Sequence, residues 1–194
     1  MEHKGTKPLE TARLILRPFR LEDAESCVRN WAADPEIYRY ISQQAQTAQE
    51  VQEVQDWLST AGEAYASPET YYWAIVHKVS GEVIGEIFVD EFSSRSAWCE
   101  LDWKIGRAFQ RKGCAAEAAA AVVRYLFEEV GFHRVQAKCC AENPASERVM
   151  QKIGMTKEGV LRGYFRAKDG RWCDVVLYAA LRNDSTPGFV PNPV

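Results

Sequence analysis

The six residues 110–115, with the sequence Gln-Arg-Lys-Gly-Cys-Ala, have the composition of a turn that binds a pyrophosphate group. They lie between a strand-like run, residues 98–105, and a long alanine-rich helical pattern. The first N–H groups of a helix point out of its N-terminus and carry partial positive charge, so a turn entering a helix can bind a phosphate. Gly113 favours this, because a β-carbon there would hold the anion away from the backbone. Arg111 and Lys112 add positive charge.

The composition indicates one globular domain. The chain has 194 residues, 46% of them apolar and 26% charged, as is usual for a domain with a single core. Its net charge of −3 argues against nucleic-acid binding. No apolar run reaches the roughly 20 residues of a membrane span, and the N-terminus has no secretory signal. We therefore expect a cytoplasmic protein, with reduced cysteines and with neither nucleic acid nor membrane as a partner.

Hydrophobic periodicity predicts strands and helices on both sides of the turn. The predicted strands are residues 12–18, 71–77, 83–90, 98–105, 134–140, 160–165 and 173–180. The predicted helices are residues 21–31, 47–65, one from residue 115 that ends before Gly131, and 144–153. Thr47 and Glu50 form a capping box, and Asn143 is an N-cap with Pro144 at N1. The order predicts one mixed α/β (α+β) domain, residues 11–181, between an N-terminal extension, 1–10, and a flexible tail, 182–194.

This order of elements, with three stretches of sequence, resembles the GNAT superfamily of acyl-CoA N-acyltransferases. The similarity covers residues 11–181 and is closest to the branch that acetylates the N-terminal amines of ribosomal proteins. The stretches are residues 110–115, which match Q/R-x-x-G-x-G/A; residues 143–146 with 150–155; and residues 158–162 with 169–171 and 174–178. The resemblance implies a mixed sheet of about seven strands, splayed at the cofactor site and flanked by about four helices.

The resemblance also implies acetyl-CoA as cosubstrate, with no metal. The thioester would lie where the strand that ends at Ile105 splays from the strand that begins at Arg134. The three histidines, His3, His77 and His133, are too scattered for a metal site. The residues implied to contact acetyl-CoA are Trp103, Lys104 and Ile105 through their backbone, then Gln110, Arg111, Lys112, Gly113, Cys114, Ala115, Asn143 and Ser146.

Glu100 is the candidate general base, because relatives often have a carboxylate at this position of the strand. A carboxylate can take the amine proton if burial raises its pKa toward neutrality. Asp102 competes for the role, since residues two apart in a strand share a face, although relatives usually have glycine there. The alternative is that Glu100 faces solvent or pairs with an arginine.

Ser146 is the candidate acid for the departing thiolate. Many superfamily members place a tyrosine seven residues after the asparagine, but this chain has Met150 there, which cannot donate a proton. In the ribosomal branch a serine three residues after the asparagine is thought to replace it, and that serine is Ser146 here. The alternative is a helix-surface serine that only continues the N-terminal turn.

The predicted acceptor is a protein or peptide N-terminal α-amine, as in ribosomal protein acetylation. At pH 7 neutralising an α-amine costs about 1 kcal/mol and neutralising lysine about 4.6, so a modest base and acid suit the α-amine. Tyr38, Tyr40 and Asp102 are expected to line the acceptor pocket. The alternatives are a small amine, such as an aminoglycoside or polyamine, and a non-catalytic acyl-CoA-binding sensor. A monomer and a homodimer are both compatible with the sequence.

Overall fold

The computed structural model describes residues 1–41, 50–167 and 169–184. Its centre is a sheet of eight strands in the order β1-β2-β3-β4-β5-β6-β8-β7. All neighbouring strands are antiparallel except β5 and β6, which are parallel. The strands are β1 (Leu9–Glu10), β2 (Leu14–Arg17), β3 (Tyr72–His77), β4 (Val83–Ser93), β5 (Trp98–Ile105), β6 (Arg134–Cys140), β7 (Thr156–Arg166) and β8 (Trp172–Leu181).

Four α-helices are described, and helical turns extend two of them. A 3-10 turn and a π turn flank α1, and a π turn continues α3 until Gly131, whose φ of +91° lets the chain leave the helix. A separate 3-10 turn, Pro35–Tyr38, follows the first helical segment. The α-helices are α1 (Ala24–Cys27), α2 (Val51–Ala64), α3 (Cys114–Tyr125) and α4 (Pro144–Lys152).

The helices cover both faces of the sheet and leave the two faces of β5 with different neighbours. Cys99, Leu101 and Ile105 face the main core beneath α3 and α4. The alternate residues of β5 face α1 and α2, where a second core cluster contains Trp31 and Leu58. A strand between two helix layers thus presents apolar residues to one layer and Glu100, Asp102 and Lys104 to the other.

The predicted fold class is confirmed, and the differences are at element ends. The first ten residues, expected to be an extension, contribute β1, which pairs with β2 and gives the sheet its eighth strand. β7 is longer than predicted because it is an exposed edge strand with little apolar alternation. Thr47 lies outside the described residues, and the described α2 begins after Glu50, whose side chain forms a capping box with Glu53. Among the described helices, none is long and apolar enough to cross a membrane.

Candidate active site

The turn of residues 110–115, hereafter the cofactor turn, has the geometry of an anion-binding helix entry. Gly113 is the N-cap of α3, with φ of +85°, and Arg111 has φ of +60°. The first intrahelical bond runs from the Glu117 amide to the Gly113 carbonyl, at 3.0 Å, so the preceding amides point out of the helix end. A positive φ at a residue other than glycine is strained, and such strain concentrates at ligand sites.

Arg13, which precedes β2, braces this turn from the side. Its Nη1 donates to the carbonyl of Lys112 at 2.7 Å, and its Nε donates to Glu117 Oε2 at 2.6 Å. Thr11 donates to the other oxygen of Glu117 at 2.6 Å. A β-carbon on Gly113 would lie 3.3 Å from Arg13 Nη2. The turn is therefore fixed by a residue about 100 positions away, which the sequence analysis did not single out.

The parallel strands β5 and β6 separate at the position predicted for the thioester. They pair from Trp98 opposite Arg134 to Glu100 opposite Gln136, and beyond that point β5 pairs with β4 alone. The backbone edge of residues 103–105 therefore faces the opening between the strands. The carbonyl of Ile105 already accepts a bond from the Gln110 side chain at 3.0 Å. The predicted splay of the sheet is confirmed.

Three carboxylates meet at the splay, and we call them the carboxylate cluster: Asp90, Glu100 and Asp102. One oxygen from each lies within 4.8 Å of the others. Glu100 and Asp102 thus share a face, as predicted from their spacing. Asp90 joins them from the bulged part of β4, and nothing in the strand pattern signalled its approach.

Glu100 is the buried, paired member of the cluster. Its side chain is 2% exposed and forms an ion pair with Lys138, while Gln136 Nε2 donates to its Oε2 at 2.9 Å. Burial alone would lower the pKa of Lys138, but the bond and charge of Glu100 override this and raise it. The Glu100 side chain is therefore held by two residues of β6, Lys138 and Gln136.

Asp102, the third member of the cluster, has a raised pKa. Burial raises its pKa to about 7, and the charges of Glu100 and Asp90 act in the same direction. Lys138 and Lys104 oppose the rise only in part. A carboxyl that titrates near neutral pH beside a cleft is a candidate proton acceptor.

The start of α4 places Asn143 and Ser146 together. The Ser146 amide donates to Asn143 Oδ1 at 3.2 Å, and Asn143 Nδ2 donates to Ser146 Oγ at 3.3 Å. Because that hydroxyl oxygen accepts, its hydrogen can donate to another group. The Cys139 thiol donates to the Asn143 carbonyl at 3.7 Å, and burial raises its pKa to about 12, so it remains protonated. Met150 is fully buried in the core.

A cavity of about 900 Å³ lies beside the cluster on the α1 and α2 side of the sheet; we call it the aromatic cavity. Phe88 on its wall stands opposite Asp102 in the register of β4 and β5. On its floor the buried Glu86 accepts bonds from Tyr72 and Lys104. Its lining residues are Trp31, Ala32, Tyr38, Glu53, Asp56, Trp57, Glu69, Thr70, Tyr71, Tyr72, Glu86, Phe88, Val89 and Lys104.

The two tyrosines expected in the acceptor pocket lie in different places. Tyr38 is 5% exposed and lines the aromatic cavity, and burial raises its pKa above the ordinary value. Tyr40 instead packs against the cluster of Cys140, Ala167 and Cys173. Tyr38 is the last residue of the 3-10 turn, so Tyr40 lies beyond it, and the spacing of two residues does not bring the two side chains together.

Comparisons with known proteins agree with this geometry. Residues 13–156 match the family model described as "Acetyltransferase (GNAT) domain". The chain is 30% identical over 176 residues to the uncharacterized N-acetyltransferase p20 of Bacillus licheniformis, covering 91% of this chain and 97% of that protein. It is 32% identical over 135 residues to the [ribosomal protein uS5]-alanine N-acetyltransferase of Escherichia coli K12, covering 68% of each.

Solved structures show the same architecture. A GNAT-family acetyltransferase from Bacillus anthracis superposes with a TM-score of 0.78 and 25% identity, over 92% of this chain and 100% of that chain. The chain belongs to the GNAT acetyltransferase family. It is an acetyl-CoA-dependent N-acetyltransferase, as the sequence analysis predicted.

Proposed function

We propose that this enzyme acetylates the N-terminal α-amine of a peptide or protein, with Asp102 rather than Glu100 as the proton acceptor. The observation that carries the proposal is the Asp102 carboxyl, whose pKa is about 7, at the opening between β5 and β6. An α-ammonium has a pKa near ~7.8, so moving its proton to Asp102 costs only about 1 kcal/mol, whereas lysine would cost about 4–5. The similarity to the Escherichia coli alanine N-acetyltransferase supports the same acceptor class.

The reaction follows from the placement of the groups. The cofactor turn binds the pyrophosphate of acetyl-CoA through the amides after Gly113, with Gln110, Arg111, Lys112, Cys114 and Ala115 completing it. The pantetheine arm pairs with the open edge of residues 103–105. The α-ammonium enters at the carboxylate cluster, where its charge is neutralised, and gives a proton to Asp102.

The neutral amine then attacks the thioester carbonyl, and the C–N bond forms. Collapse of the tetrahedral intermediate breaks the C–S bond and releases the thiolate of coenzyme A. Ser146, whose hydroxyl oxygen already accepts from Asn143, donates its proton to that thiolate, and the second proton of the attacking nitrogen is taken up by the Ser146 oxygen as the amide forms. Asp102 is left with the one proton that the overall reaction releases, and passes it to solvent. Glu100 serves as a positioning residue, because its charge raises the pKa of Asp102 and its bonds join β5 to β6.

An acceptor panel tests this proposal. Release of coenzyme A would be measured with three sets of acceptors. The first set is lysine-containing peptides that begin with a free alanine or serine, the second is the same peptides with the N-terminus acetylated, and the third is small amines. We expect turnover with free N-termini and none with the blocked peptides. Turnover with small amines alone would contradict the peptide assignment, and turnover with the blocked peptides would show that lysine is the acceptor.

A further inference from the structure

The aromatic cavity already holds one ammonium group from the protein itself. Lys104 Nζ lies 5.9 Å from the ring centroid of Trp31, 5.8 Å from that of Tyr38 and 5.2 Å from that of Phe88. Its charge is paired with Glu86, which is 2% exposed. Aromatic faces attract cations at such distances, most strongly where water is partly excluded. The walls are therefore suited to a positively charged group.

The rim of the cavity is acidic. Glu53, Asp56 and Glu69 line it, in addition to Glu86 on the floor. Lys104 is the single lysine or arginine among the described residues that line it. Glu86 is paired with Lys104, and the rim carboxylates add negative charge to the mouth of the cavity, although Glu69 also lies 3.8 Å from His3 Nε2. An entering group of positive charge would be attracted both by this charge and by the aromatic walls.

The aromatic cavity lies close to the proposed reacting centre at Asp102. Phe88 stands opposite Asp102, and Glu86 stands opposite Lys104, two residues further along β5. Two residues of a strand span about 7 Å. The part of the cavity formed by Glu86 and Lys104 thus lies about that distance along the strands from Asp102. A lysine or arginine side chain at the second position of a peptide can reach this far, as can the next ammonium of a polyamine.

We propose that the aromatic cavity binds a second cationic group of the acceptor, next to the amine that is acetylated. This inference rests on the proposed function for the position of the reacting amine. For a peptide, the group is a lysine or arginine side chain beside the N-terminal residue. The cavity then selects acceptors by charge, whereas the carboxylate cluster performs the proton transfer.

The test compares acceptors that differ only in the second charge. Peptides Ala-Arg, Ala-Gln and Ala-Glu with a common remainder form one arm, and spermidine against butylamine forms the other. We expect kcat/KM for Ala-Arg to exceed that for Ala-Gln by about tenfold, as cation–π and partly screened ionic attraction together allow. The Ala-Glu peptide should be poorer still, and added salt should reduce the preference.

The variant is the double substitution Asp56→Asn with Glu69→Gln, and the control is Glu63→Gln, an exposed residue of α2 outside the cavity lining. The double variant should reduce the ratio of kcat/KM for Ala-Arg to kcat/KM for Ala-Gln to about threefold or less, whereas the control should keep the wild-type ratio.

Equal kcat/KM for the three peptides would overturn the inference and leave the peptide function standing. A spermidine preference that the double variant removes, without peptide turnover, would support the cavity assignment and overturn the peptide function.

Discussion

The cofactor turn consists of six consecutive residues, whereas the carboxylate cluster takes its three oxygens from two strands, one of them from the bulge of β4 and two from β5. The turn offers backbone amides and contains two residues of positive φ. The cluster works through side chains whose charges alter each other's proton affinity. In the proposed mechanism, pyrophosphate binding therefore depends mainly on one short segment of the chain, braced by Arg13, whereas activation of the amine depends on the assembled sheet.

Loss of the proposed base, Asp102, should have the largest effect on kcat, because no other group is placed to take the amine proton in the proposed mechanism. Asp102→Asn keeps the shape of the side chain but cannot accept a proton, so kcat should fall by the ~10²–10⁴ typical of general-base loss. Glu100→Gln should have a smaller effect, on the order of tenfold, because it alters the surroundings of Asp102. Steady-state rates at saturating acetyl-CoA measure both. A larger loss in Glu100→Gln, in a variant with unchanged Tm, would reverse the two roles.

In the cofactor turn, a single added side chain should be enough to weaken acetyl-CoA binding. Gly113→Val forces a branched residue to a φ of +85° and brings its side chain against Arg13. Acetyl-CoA affinity should fall by well over tenfold, more than 1.4 kcal/mol. Titration calorimetry measures it, with Gly159→Val as control, because a β-carbon at Gly159 contacts nothing within 4 Å. Unchanged affinity in a folded Gly113→Val variant would show that the turn does not bind acetyl-CoA.

The smallest expected effect belongs to Ser146, in the first turn of α4. A hydroxyl is a weak acid for a thiolate, so Ser146→Ala should lower kcat by only about several-fold, with little change in acetyl-CoA affinity. Single-turnover rates report the chemical step. If that step is unaffected, Ser146 serves only the Asn143 cap, where it donates its amide.

The difference between a turn of consecutive residues and a cluster assembled from two strands also explains how much of the site could be predicted from the sequence. Gly113 and Asn143 stand at helix starts that short-range patterns identify, and both are N-caps in the structure. By contrast, the pairing of Glu100 with Lys138 depends on the parallel register of β5 and β6, which no short pattern specifies. The aromatic cavity was not predicted as a whole, because an aromatic side chain that lines a cavity has the same spacing along a strand or helix as one that fills the core.

Charged residues within the strands could have indicated further residues of the site from the sequence. Glu86 interrupts an apolar run in β4, and Lys138 interrupts one in β6. A charge at such a position must be paired or must face a cavity. Both residues prove to be paired with partners on β5. The pairings themselves follow only from the strand order.

The pH dependence of kcat/KM for wild type, Asp102→Asn and Glu100→Gln tests the central claim most directly. Because Asp102 must lose its proton to act as base, wild-type kcat/KM should rise with pH through its pKa of about 7. Ionisation of the acceptor amine adds a limb common to all three enzymes. We expect Asp102→Asn to retain only that limb, and Glu100→Gln to keep the Asp102 limb at lower pH, since a negative neighbour is removed. Loss of the limb in Glu100→Gln, with its retention in Asp102→Asn, would contradict the account.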